Sequence, residues 1–121
     1  DDKVDFVRRA KEAGFFIRVF FVGTDSPEIN AARVARRVME GGHDVPIPKI
    51  ISRYGKSMRN LALVLPIVDR GYVYDNSVDD QDAQLQFRTE DGAVRKIYES
   101  GHAWSDGLRE ALEGRNLHPR P

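Results

Sequence analysis

Arg33, Arg36 and Arg37 lead into the stretch MEGGHDVPIPKIISRY, residues 39–54, and Lys49, Arg53, Lys56 and Arg59 lie inside it or just after it. Only Glu40 and Asp44 oppose them locally. Arginine suits phosphate because its planar fork makes paired, charge-assisted hydrogen bonds. A loop with Gly41 and Gly42 at one end and Pro46 and Pro48 at the other could close such arginines over a polyphosphate. That closure would stabilise the charge developing in phosphoryl transfer and exclude water. The same run also fits two solvated helix faces, the ordinary role of surface charge, and the pattern alone leaves both readings open.

The other chemistry-bearing residues say less. His43 either donates to a phosphate or hydrogen-bonds within the loop. The segment GTDSPE (23–28) sets a helix start after a strand, where anions often bind, but it lacks the GxGxxG and GxxxxGK[ST] patterns. Asp75 and Asn76 end a strand, the place where ligands bind in parallel α/β sheets, and they are equally ordinary turn formers. His43, His102 and His118 lie far apart and make no metal-ligand spacing, so no metal site is expected. Arg18 and Trp104 read as structural. With no cysteine there is no disulfide, thiol nucleophile or cysteine zinc site.

The chain has 121 residues, the size of one domain, and 19 basic against 19 acidic side chains. That balance gives no case for nucleic acid or a membrane surface as partner. A hydrophobic fraction of 40% supports a core. The longest apolar run, Phe15 to Val22, is broken by Arg18 and is far shorter than the ~20 residues of a membrane helix. A cytoplasmic location is the default. The opening DDKVDF carries no methionine, which reads as a cut piece or a processed product.

Several elements must position these residues. Residues 3–13 carry Val4, Val7 or Phe6, Ala10 and Lys11 at helical spacing, and Gly14 stops the helix. FFIRVFFVG (15–23) reads as a strand covered on both faces. Asp25 or Ser26 caps a helix running to about Glu40, with Pro27 in its first turn and Ala31, Val34, Ala35 and Val38 as its buried stripe. A third helix runs from about Pro48 to Val68, with Ile51, Tyr54, Met58, Leu61, Leu65 and Val68 as its apolar line. GYVYDNS (71–77) is a second strand, and LQFRTEDGAVRKIY (85–98) is a hairpin turning at Asp91-Gly92. A last helix spans about Trp104 to Leu112 and ends at Gly114, leaving residues 115–121 as a frayed tail. Strand, helical crossover and strand argue for an α/β fold. The sheet looks unfinished, so either the hairpin or a further part of the protein must extend it.

Residues 21–61, FVGTDSPEINAARVARRVMEGGHDVPIPKIISRYGKSMRNL, followed by VDRGYVYDNS at 68–77, resemble the C-terminal half of zeta-toxin-like P-loop kinases. The resemblance runs from about Asp5 to Tyr98. It implies a partial nucleotide-kinase-like three-layer α/β fold with a lid loop and a C-terminal hairpin, and ATP and magnesium as cofactors. It also implies phosphoryl transfer to a hydroxyl, as in members that phosphorylate UDP-N-acetylglucosamine, and an antitoxin as partner. Carried over by position, Arg33 and Arg37 are the phosphate ligands that act in catalysis, and Arg53 follows the lid. His43 stands where some members place an arginine. Asp75, Asn76 and Ser77 lie near the base or ribose.

The chain departs from that family where it matters most. It has no GxxxxGK[ST], and the family's catalytic aspartate lies upstream of the matched part. The isolated chain is therefore expected to be inactive as an enzyme. The alternative expectation is a non-catalytic module that binds a partner or completes its sheet by self-association. DNA binding by a helix-turn-helix ranks last, because the connection from Gly41 to Ile47 exceeds that motif's turn.

Overall fold

The computed structural model describes residues 2–117. Its order is α1 (Asp2–Glu12), β1 (Arg18–Gly23), α2 (Pro27–Met39), α3 (Ile47–Val64), β2 (Arg70–Asp75), β3 (Gln84–Glu90), β4 (Ala93–Ile97) and α4 (Ala103–Leu117). This is the expected succession of elements. The last helix runs three residues past Gly114, and the rest of the predicted tail, with His118, lies outside the described residues.

The sheet has the order β1-β2-β3-β4. β1 and β2 are parallel, with Gly23 beside Asp75, and β3 and β4 add antiparallel strands beyond β2. The hairpin thus extends the sheet on one side. Its turn places Asp91 at φ 50° and Gly92 at φ 82°, the left-handed pair that suits a tight hairpin.

The register puts Phe21, Val73 and Phe87 on one face, and there Leu61 of α3, Leu65 just beyond it and Leu112 of α4 complete the main core. Val4 of α1 joins Val64 and Val68 in a second cluster beside Ile17 and Val19. Asp69 ties these parts together, accepting from the Lys11 ammonium and, at 2.7 Å, from the Ile17 amide.

Three expectations need correction. The first strand starts at Arg18, not Phe15, and it is covered on one face only. Val19 and Phe21 point to the helices, while Arg18, Phe20 and Val22 are exposed, Phe20 by 63%. The Phe20 ring lies flat on Tyr72, with centroids 4.7 Å apart. The cause is that α1, α3 and α4 all bury their stripes on the same face, so no third layer forms among the described residues. β1 pairs with β2 alone there, and its outer edge is open. The third helix ends at Val64 and not at Val68, because Pro66 has no amide hydrogen to continue the ladder. Its buried line is Ile50, Leu61 and Val64, with Ile51 turned outward. In α2 only Val34 of the predicted stripe is buried.

Candidate functional site

The site forms at the C-terminal ends of β1 and β2, the edge where parallel strands present ligand-binding loops. Beyond Gly23 the chain turns through Thr24 and Asp25 to Ser26, which stands at the N-cap of α2 without a side-chain cap bond, and Pro27 opens the helix. The Thr24 hydroxyl, itself buried, is 2.9 Å from Asn30 Oδ1 and 3.1 Å from the Ser26 carbonyl. Tyr54 of α3 donates its hydroxyl to the Thr24 carbonyl at 2.6 Å, which fixes α3 to the end of β1. Such a bond contributes about 0.5–1.5 kcal/mol net. Burial, then the charges of Asp25, Asp75 and Glu28, push the Tyr54 hydroxyl above its ordinary pKa, so it remains a proton donor at neutral pH.

The paired glycines have a local cause. Gly41 takes φ 92°; its amide donates to the Val38 carbonyl at 3.0 Å, and that of Gly42 to the Arg37 carbonyl at 2.7 Å. This double bond pattern closes a helix with a left-handed residue. A Cβ on Gly42 would stand 2.9 Å from the Arg37 carbonyl oxygen. The chain then passes through His43 to Pro46 and enters α3 at Ile47. The Gly/Pro wealth of this connection thus has one certain function, a sharp stop followed by a preset start.

Between α2, α3 and the end of β1 lies an open cavity of about 430 Å³. Arg33 and Arg37 from α2 and Arg53 from α3 line it, with Asn30, Tyr54, Ser57 and Asn76 as polar groups and Val22, Val34, Val45 and Ile50 as apolar wall. Arg33 is held by Asp79 at 3.2 Å, whereas Arg37 and Arg53 have no carboxylate partner among the described residues. So Arg33, Arg37, Arg53 and Asn76, singled out in the sequence, come together in space. His43 is exposed on the connecting loop and does not line this cavity. Asp75 lies behind it, buried and fully engaged.

Asp75 belongs to a network that the sequence reading missed. Its Oδ2 accepts from Trp104 Nε1 at 2.7 Å and from the Ser77 hydroxyl at 2.8 Å; its Oδ1 accepts from the Ser77 amide at 2.8 Å. His102 Nδ1 is 2.7 Å from Asp25 Oδ1 and 3.4 Å from Asp75 Oδ2. Burial lowers the His102 pKa, but the hydrogen bond to Asp25 and the charges of Asp75, Asp25 and Asp106 outweigh it, so the imidazole titrates above its ordinary value. A signal existed: Asp25 follows the end of β1 and Asp75 ends β2, and the parallel pairing of these strands brings the two together whatever the sequence between.

Asp25, Asp75 and His102 place donor atoms within 4.8 Å of one another, where the sequence spacing offered no metal ligands. The arrangement fits a shared proton better than an ion. Asp75 spends both oxygens on Trp104 and Ser77, and His102 already bonds Asp25 directly. The site therefore has two poles: the cavity with its guanidinium groups, of which Arg37 and Arg53 have no carboxylate partner among the described residues, and the hydrogen-bonded carboxylates Asp25 and Asp75 outside its lining.

No family model matches the chain, and no solved structure matches it. Among curated proteins it is similar to an uncharacterized protein of Haemophilus influenzae, 38% identical over 48 residues. Those residues are 40% of this chain, and they span about a third, 34%, of that protein.

Proposed function

We propose that this chain is the lid-bearing part of a zeta-toxin-like kinase, in which Arg33, Arg37 and Arg53 hold the phosphates of ATP while its γ-phosphoryl group passes to a hydroxyl, such as one on UDP-N-acetylglucosamine. The observation that carries the reading is the convergence of arginines from both α2 and α3 on one cavity, with Arg37 and Arg53 uncommitted to any carboxylate among the described residues. Guanidinium groups without a counter-ion, set around a concave wall, suit an anion with several oxygens. They would stabilise charge as it spreads over the transferred group. Asn76 offers hydrogen bonds to the neutral part of the ligand, and the Tyr54 hydroxyl, which donates to Thr24, offers an acceptor.

The residues present fit the phosphates of ATP but not its magnesium ion. No carboxylate lines the cavity among the described residues: Asp79 is held by Arg33 and Arg36, and Asp25 and Asp75 are occupied by His102, Trp104 and Ser77. The sequence also lacks the Gly-rich cradle and its lysine. This chain is thus expected to bind polyphosphate without turning it over.

Calorimetric titration with inorganic tripolyphosphate and with ATP tests the proposal. Arg37→Ala combined with Arg53→Ala should weaken binding at least tenfold, steeply dependent on salt, while the circular dichroism and melting curve stay those of the parent. Equal affinity in the variant would overturn the assignment.

A second reading, a non-catalytic module that self-associates, draws on the open edge of β1 and on Phe20 and Val22, exposed by 63% and 55%.

A further inference from the structure

Arg33 serves two cavities. It lines the one described above, and it lines a second of about 380 Å³ together with Arg36, Arg37, Glu40 and Asp79. In that second space the Asp79 carboxylate takes both of its nearest cations at once. Oδ1 accepts from Arg33 Nε at 3.2 Å, and Oδ2 accepts from Arg36 Nη2 at 3.1 Å.

Asp79 lies in the connection between β2 and β3, residues 76–83. The root of that connection is fixed: the Asn76 amide donates to the Gly23 carbonyl at 2.8 Å, and Ser77 is bonded to Asp75 and to the Asp25 amide. Past Ser77 the chain is exposed from Val78 to Asp82, and Asp80 takes φ 58°, a costly backbone state for a residue other than glycine. The bonds that hold the Asp79 side chain are those to the two arginines. Its side chain is 54% exposed, so little besides charge holds it there. The hydrogen bonds from Arg33 and then Arg36 keep its carboxyl below the ordinary carboxylate range, and it is charged at neutral pH.

A guanidinium fork accepts a carboxylate and a phosphate with the same geometry. The group now on Arg33 is therefore chemically equivalent to the group that the cavity suits. We propose that Asp79 is a built-in competitor for the anion: it occupies Arg33 and Arg36 in the unliganded protein, and a phosphate-bearing ligand enters by taking Arg33 from it. This rests on reading the cavity as an anion site. Exchange would leave the 78–82 segment tethered to α2 through Arg36 alone at the moment the ligand is seated. Binding and the loosening of this loop thus become one event, and the apparent affinity is reduced by the fraction of molecules in which Asp79 holds Arg33.

Asp79→Asn keeps the side chain's shape and removes its charge at an exposed position. Inorganic tripolyphosphate should bind this variant about threefold to tenfold more tightly than the parent at low salt, a gain in the range expected when exposed ion pairs are removed from the free state. Adding Arg33→Ala to Asp79→Asn should cancel the gain. In the parent protein, tripolyphosphate should shift the amide signals of residues 78–82 along with those lining the cavity. If the parent binds tripolyphosphate and Asp79→Asn binds it equally or more weakly, the competitor is overturned and the anion site stands. If neither protein binds, both are overturned.

Discussion

The His102 imidazole and the Asp25 carboxylate are 2.7 Å apart although 77 positions separate them in the chain. Their contact joins the start of α4 to the end of β1, and Trp104 two residues on reinforces it through Asp75. A protonated His102 hydrogen-bonds Asp25 and sets its charge 3.4 Å from Asp75.

The pH dependence of this contact has a definite sign. The folded-state pKa of His102 is raised above its unfolded value of about 6.5. The stabilisation is therefore complete below that value and is lost as pH rises through the folded pKa. Urea denaturation of the parent and of His102→Gln from pH 5 to 9 should show a stability difference that is largest at the acid end and shrinks with rising pH. A difference that does not change with pH would refute this account.

Two glycines should respond oppositely to alanine. A Cβ on Gly23 would lie 2.8–2.9 Å from the Trp104 and Phe21 rings, so Gly23→Ala should cost about 1–3 kcal/mol and alter the fluorescence of the single tryptophan. Gly107, inside α4, has nothing within 4 Å of its would-be Cβ. There alanine should stabilise by about 0.5–1 kcal/mol, since it removes backbone freedom from the unfolded chain and favours the helix. Equal shifts in midpoint for the two variants would contradict the packing described.

The open edge of β1 carries a prediction of its own. Edge strands of this length are usually guarded by charge, proline or a bulge, and Phe20 to Val22 has none of these. Sedimentation of the purified chain should show mass rising with concentration. Val22→Lys, on the exposed face of that strand, should lower the association at least several-fold without changing the fold. A parent that stays monomeric at high concentration would remove the self-association reading.

Much of this architecture was legible because local chemistry and tertiary structure agree. Asp91-Gly92 announces its hairpin, Gly41-Gly42 announces the end of α2, and apolar spacing announces that each helix exists, though not which of its residues are buried. The failures have physical causes. An apolar strand looks the same in sequence whether it is central or at an edge, so the bare face of Phe20 and Val22 was hidden. Pro66 stops α3 where the apolar spacing alone carries on to Val68. Within the site, Arg33, Arg37 and Arg53 could be grouped because two successive helices bracket one short loop. Asp79 and His102 could not, since each reaches the site from a connection whose path depends on the completed sheet.

The parallel pairing of β1 with β2 also orders events in time. β2, β3 and β4 are neighbours in the chain, and each can find the next as soon as it exists. β1 must wait until residues 24–69 have been made before its partner β2 appears. On the ribosome this leaves a Phe-rich segment emerged and unpaired for the few seconds that such a stretch takes to synthesise, at about 5–20 residues per second. The interval in which a chaperone is most needed is thus written into the distance between two strands.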